Sequence, residues 1–119
     1  PGPMPLLQLR TSAPLPPEPE ALLQELSSLV APLLGKPERY VMTLLAPPGP
    51  ICFGGDVSTP ACYVELKSVG TFTPEQTTAL SRALCSLLST RLAVPADRIY
   101  LEFSGVSGHL WGWNGGTFG

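Results

Sequence analysis

Residues Thr73 to Tyr100 read TPEQTTALSRALCSLLSTRLAVPADRIY, a helix followed at once by a strand. The opening carries three start signals together. Thr73 is a cap, Pro74 takes the first helical position, where its missing N–H costs nothing, and Gln76 follows the cap by three residues. Ala79, Leu80, Ala83, Leu84, Leu87, Leu88 and Leu92 then recur on one face at the helical period. Pro95-Ala96-Asp97-Arg98 ends the helix, and Ile99 to Phe103 reads as a strand. Upstream, Ala61 to Val69 reads as another strand, in which Cys62, Val64 and Leu66 alternate with Tyr63, Glu65 and Lys67. Successive strand side chains point to opposite faces, so one face is apolar and the other polar.

The first half of the chain repeats this order. Leu6 to Thr11 reads as a strand and the proline-rich segment Ser12 to Pro19 as a connection. Leu22, Leu23, Leu26, Leu29, Val30, Leu33 and Leu34 give a leucine-faced helix, stopped by Gly35 and Pro37. Pro32 removes one backbone donor from the last turn and predicts a bend or early fraying there. Tyr40 to Ala46 reads as the second strand, followed by a Pro/Gly turn from Pro47 to Pro50 and a short extended piece around Ile51 to Phe53. Pro37-Glu38-Arg39-Tyr40 and Pro95-Ala96-Asp97-Arg98 occupy equivalent places after the two helices, so the chain is an internal duplication.

Each half is a βαβ unit, whose crossover makes its two strands parallel and puts its helix on one face. The expected fold is α/β: one four-stranded sheet with two antiparallel helices on the same face. The other face then carries Gln8, Arg10, Tyr63, Glu65, Lys67, Tyr100 and Glu102. That set is too polar for a core and too aromatic for an idle surface, and it predicts partial burial against identical subunits.

A chain of 119 residues with 13% charged residues and a formal net charge of −2 fits one domain and has no basic surface to neutralise phosphates. Nucleic acid is therefore an unexpected partner. No apolar run approaches the roughly 20 residues of a membrane span, and no secretory signal opens the chain. A soluble, cytoplasmic protein is expected. Cys52, Cys62 and Cys85 form no Cys-x-x-Cys pair and read as small buried apolar residues in a reducing compartment. With His109 as the one histidine, a zinc site is not expected. Gly54-Gly55 and Gly115-Gly116 lack phosphate-loop spacing, so neither nucleotide nor other cofactor is expected.

Gly2-Pro3-Met4 reads as a protease-cleavage scar followed by an initiator methionine, which sets residues 1–4 apart from a domain at 5–119 that begins at Pro5. A free N-terminal proline is a secondary amine, and burial near a cation lowers its pKa so that the neutral base is present near pH 7. Inside a chain the same nitrogen is a tertiary amide and no base. The alternatives are a plain proline at the start of a strand, or Pro1 acting as the terminus on a longer arm.

Pro5-Leu6-Leu7, Gly35-Lys36-Pro37, Phe53-Gly54-Gly55, Lys67-Ser68-Val69-Gly70, Pro95-Ala96-Asp97-Arg98-Ile99-Tyr100 and Gly112-Trp113-Asn114 ending in Thr117-Phe118 resemble the macrophage migration inhibitory factor and D-dopachrome tautomerase family, in register from Pro5 to Gly119. The resemblance implies a homotrimer with active sites between neighbouring subunits. It also implies a keto–enol tautomerase of aromatic α-keto acids such as phenylpyruvate, with Pro5 as the proton shuttle. Lys36 then binds the substrate carboxylate and depresses the proline pKa, although by spacing alone it is a solvated lysine at a helix C-terminus. Val69 contributes its backbone N–H, and Tyr100 lines the pocket from an adjacent subunit.

Glu102 stands where the best-known members have asparagine, a change unfavourable to an anionic substrate. Tyr40, Trp111, Trp113 and Phe118 form the aromatic wall, with core and subunit packing as the other reading of Trp113 and Phe118. Ala61 and Val64 replace the family's Cys-x-x-Cys, so thiol oxidoreductase activity is not expected. Gly116 replaces a serine and Trp111 a smaller residue, which predicts a narrower pocket floor. The resemblance also implies a rival role, a cytokine-like receptor-binding protein, exported without a signal peptide, in which the proline pocket is vestigial or binds a ligand.

Overall fold

Two parallel strand pairs, joined back to back, make the sheet. In the computed structural model, which describes residues 4–119, β1 (Leu6–Thr11) pairs in parallel with β2 (Met42–Leu45), and β3 (Cys62–Val69) pairs in parallel with β4 (Ile99–Val106). Between the pairs β1 and β3 run antiparallel, with Leu6 opposite Lys67 and Thr11 opposite Cys62, giving the order β2-β1-β3-β4. The helices α1 (Pro19–Leu34) and α2 (Pro74–Leu92) are the two crossovers. The expected duplication is present down to its connections. A 3₁₀ turn follows Pro37 at Glu38–Tyr40, and another follows Pro95 at Ala96–Arg98.

The apolar strand face and the two leucine faces meet in one core. Leu7, Leu9, Val64 and Leu66 from the sheet pack with Leu22, Leu26 and Val30 of α1 and Leu80, Leu84 and Leu88 of α2. Each side chain so buried stabilises the fold by about 1.5–3 kcal/mol before entropy is charged against it. On the outer side of the helices, Arg91 in the last turn of α2 grips Glu25 in the first half of α1, with Nη2 to Oε2 at 2.7 Å. That pairing of a C-terminal with an N-terminal turn reflects the antiparallel run of the two helices.

The helix ends follow local chemistry. At the start of α2 the Gln76 N–H donates to Thr73 Oγ1 (3.1 Å), while the Thr73 N–H donates to Gln76 Oε1 (2.9 Å). Both otherwise orphaned donors are satisfied reciprocally. Thr73→Ala is expected to cost about 1 kcal/mol, read as a lower urea midpoint at unchanged slope. At the end of α1, Gly35 takes the left-handed conformation at φ 65°, and the Gly35 and Lys36 N–H groups close back on the carbonyls of Pro32 and Ala31. This cap carries the helix through Pro32 to Leu34. The fraying expected at Pro32 does not occur, because the cap replaces the bonds at the helix end.

Three other expectations are corrected. Tyr40 is not in a strand: Val41 N–H bonds the Glu38 carbonyl (2.9 Å), so the chain turns once more before β2 starts at Met42. Ile51 to Phe53 forms no strand either. Phe53 and Asp56 bond each other across Gly54-Gly55, both glycines at positive φ, and the chain folds back on itself. The cysteines are not uniformly buried: Cys62 is buried, Cys85 is partly buried and Cys52, in the loop after β2, is exposed. The tail is more ordered than an aromatic run predicts. β5 (Gly112–Trp113) and β6 (Gly116–Thr117) form a hairpin over Asn114-Gly115, at φ 51° and 79°, the backbone that a tight two-residue turn demands.

Candidate active site

Pro5 lies at the end of the sheet where the inner strand β1 begins, and its carbonyl accepts a bond from the Met42 N–H (2.9 Å), which ties it to the start of β2. Proline at that position forfeits no ladder bond. Beside it opens a cleft of about 260 Å³. The strand starts contribute Leu6, Val41 and Met42, the 3₁₀ turn after α1 contributes Arg39 and Tyr40, and the tail contributes Trp111, Gly112 and Trp113. Met4 also lines the cleft and is buried, and it holds the Pro5 nitrogen in a peptide bond. Pro1 to Pro3, the rest of the segment read as a scar, lie outside the described residues.

The aromatic groups are ordered against one another. Tyr40 meets Trp113 edge to face, with centroids 5.9 Å apart, and Trp113 stacks on Phe118 at 6.0 Å. Gly108 makes this closure possible: the Phe118 N–H bonds its carbonyl, and an added Cβ there would sit 2.4 Å from the Phe118 carbonyl oxygen. The tail therefore folds back on its own root and holds Trp111 and Trp113 beside Pro5.

Of the residues singled out from sequence, Pro5, Tyr40, Trp111 and Trp113 share this cleft, and Phe118 supports it through Trp113. Lys36 emerges from the cap of α1 just before the turn that carries Arg39 and Tyr40, and it is half-buried. Val69 ends β3 at the same end of the sheet as Pro5. Tyr100 and Glu102 do not reach the cleft in their own chain. Tyr100 aligns with Tyr63 and so with Arg10, and Glu102 with Glu65 and Gln8. At about 3.3 Å per residue, the Tyr100 row lies roughly 17 Å along β1 from Pro5.

Tyr100 and Glu102 belong instead to the open face. The Tyr63 hydroxyl donates to Glu102 (3.2 Å) and Lys67 pairs with Glu65 (3.3 Å). Burial first, then the charges of Glu65 and Glu102, push the Tyr63 phenol above its ordinary value. Tyr100 is 65% exposed and lies on Phe53, centroids 4.8 Å apart.

Two arginines carry roles that the sequence reading did not give them. Arg39 lines the cleft with its guanidinium 4.6 Å over the Tyr40 ring. Arg98 donates to the carbonyls of Phe53, Asp56, Thr59 and Pro60 at 2.8–3.1 Å and lies 5.2 Å over the Phe53 ring. Within that loop, hydrogen bonds from Thr59, through its hydroxyl and its N–H (3.2 Å), and from the Ser58 N–H and hydroxyl hold the Asp56 carboxyl well below the usual carboxylate range.

A family model for macrophage migration inhibitory factor matches residues 4–119. The chain belongs to the macrophage migration inhibitory factor family. It is 36% identical to macrophage migration inhibitory factor of Meriones unguiculatus over 97% of this chain and 99% of that protein. It is 34% identical to the Brugia malayi homologue over 98% of this chain and all of that one. Among solved structures, the macrophage migration inhibitory factor homologue from Prochlorococcus marinus superposes with a TM-score of 0.90 at 47% identity, covering 96% of this chain and 99% of that one. Among the described residues no helix is long and apolar enough to cross a membrane, and no three His, Cys, Asp or Glu side chains group as metal ligands.

Proposed function

We propose that this chain is a keto–enol tautomerase of aromatic α-keto acids such as phenylpyruvate, working from an N-terminal Pro5 once residues 1–4 are gone. The observation that carries this reading is the placement of Pro5 beside a cleft walled by Tyr40, Trp111 and Trp113, a site shaped for one aromatic ring next to one potential base. The neutral imino nitrogen takes a proton from the methylene carbon beside the ketone. The C–H pair becomes the C=C bond of the enol as the keto oxygen gains a proton from solvent, and the reverse step returns the proton to carbon. Lys36 contributes a positive charge that favours the neutral form of the secondary amine and attracts the substrate carboxylate, and the Val69 N–H offers that carboxylate a donor.

The working form in this proposal is a homotrimer. Tyr100 and Glu102 are exposed on a face whose tyrosines favour a covering surface, and they are too far from their own Pro5 to serve it. Supplied by a neighbouring copy, they complete the pocket, with Glu102 tempering affinity for anions. Sedimentation of the chain is expected at three times the monomer mass.

The test is a chain that starts at Pro5, assayed by the loss of enol absorbance of phenylpyruvate. Catalysed decay is expected. No turnover leaves the rival reading, a cytokine-like receptor-binding protein whose pocket holds a ligand rather than reacting.

A further inference from the structure

Of the residues lining the cleft beside Pro5, Arg39 is the one with a charged side chain. Its guanidinium lies within cation–π range of Tyr40, with Cζ 4.6 Å from the ring centroid, and Nη2 donates to the Tyr40 hydroxyl at a long 3.4 Å. These two contacts hold the group beside the ring and engage one of its N–H donors. No ion pair among the described residues involves it. Its sequence neighbour Glu38 forms no ion pair with it and turns instead to α1, where Glu38 Oε2 accepts the Ser28 hydroxyl at 3.2 Å. Glu65 and Glu102 lie on the far rows of the sheet. A planar cation is thus held beside three aromatic rings with no anion of its own.

We propose that Arg39 is the anion anchor of the cleft, taking the carboxylate of an aromatic acid whose ring rests on Trp111 and Trp113. This makes Arg39, which lines the cleft, the direct carboxylate contact and leaves Lys36 as a charge outside the lining, and it rests on the cleft being an aromatic-acid site. A guanidinium offers two parallel N–H donors to a carboxylate, which an ammonium does not. The aromatic neighbours partly shield the pair from water and raise its worth above that of a fully solvated ion pair. The site therefore selects acids over neutral molecules of the same shape.

The experiment titrates the 119-residue chain with 3-phenylpropanoate and with 3-phenylpropanamide, following tryptophan fluorescence. The unaltered chain is expected to prefer the acid by about tenfold. Arg39→Gln is expected to remove that preference while leaving amide binding unchanged, Arg39→Lys to keep part of it, and Lys36→Gln to keep most of it. A preference that survives in Arg39→Gln, one that disappears in Lys36→Gln, or no binding of either compound overturns the proposal. Arg39 is exposed, so unchanged near-UV dichroism in the variants separates lost binding from lost folding. Turnover of phenylpyruvate is read separately, in a chain that starts at Pro5. Acid preference through Arg39 without turnover refutes the reaction and keeps the anchor, and turnover without that preference does the opposite.

Discussion

Leaving Met4 attached to Pro5 is expected to lower phenylpyruvate tautomerisation by at least about 100-fold relative to a chain that starts at Pro5. The reason is electronic before it is steric. In the longer chain the Pro5 nitrogen lends its lone pair to the Met4 carbonyl and cannot accept a proton at any accessible pH. Freed, it is a secondary amine, and a neighbouring cation pulls its pKa toward neutrality. Sterics act in the same direction, since Met4 is buried and itself lines the cleft. Pro5→Gly with a free terminus keeps an amine but loses the ring and its basicity, and is expected to fall between the two. Equal rates with and without Met4 would mean that another group is the base or that the reaction is a different one.

Arg98→Ala is expected to cost about 2–4 kcal/mol of stability, one of the larger single-residue losses in this chain. Its guanidinium gives four hydrogen bonds to the carbonyls of Phe53, Asp56, Thr59 and Pro60, and the side chain is 12% exposed. Net gains of about 1.5–3 kcal/mol are typical of a bond from a charged donor, and the sum is reduced here because the freed carbonyls regain water. Arg98→Lys is expected to recover only part of the loss, since one ammonium cannot reach four acceptors fanned around a plane. Urea unfolding at fixed protein concentration checks this. A loss under about 0.5 kcal/mol would mean that the loop does not depend on Arg98. The same loop sets Phe53 against Tyr100, so its loosening is also expected to broaden the Tyr100 ring signals.

Asp56 gives the loop a pH dependence of definite sign. Its folded-state pKa is depressed, so its contribution is fully present above the ordinary value of 3.8 and fades as the pH falls below it. Amide exchange at Ser58 and Thr59, measured as protection relative to the intrinsic rate, is expected to lose protection on acidification below that value. Protection that stays constant down to pH 2 would contradict the assignment.

What could be read in the chain was what local periodicity and capping encode. The bounds of β1, the alternation of Tyr63, Glu65 and Lys67 against Val64 and Leu66, and the Thr73–Gln76 box appear in the structure as expected. The duplication was also legible, because Pro37 and Pro95 each reset the chain to extended backbone before a one-turn 3₁₀ segment. Tyr40 was misplaced for the same local reason: the apolar run that follows it resembles a strand, while the turn is set by the bonds closing back to Pro37 and Glu38. Asn114-Gly115 was a readable hairpin signal, obscured by the aromatic residues around it.

The site was half legible. The aromatic wall and Pro5 come together, whereas Tyr100 and Glu102 face another way in the isolated chain. The parts of Arg39 and Arg98 left no trace in spacing. Arg98 binds main-chain carbonyls, which every sequence possesses, and Arg39 acquires its role only when the tail folds across from residue 111 to meet the turn at 39 and 40.

The measurement closest to the central claim is a titration of the Pro5 nitrogen by ¹⁵N NMR in a chain that starts there, set beside the pH dependence of kcat/KM for phenylpyruvate. The expected result is a pKa depressed below the ordinary α-amino value of about 7.7–8.0 and matched by the acid limb of the rate profile. A nitrogen that titrates above about 9, or one whose titration leaves the rate unmoved, would contradict it.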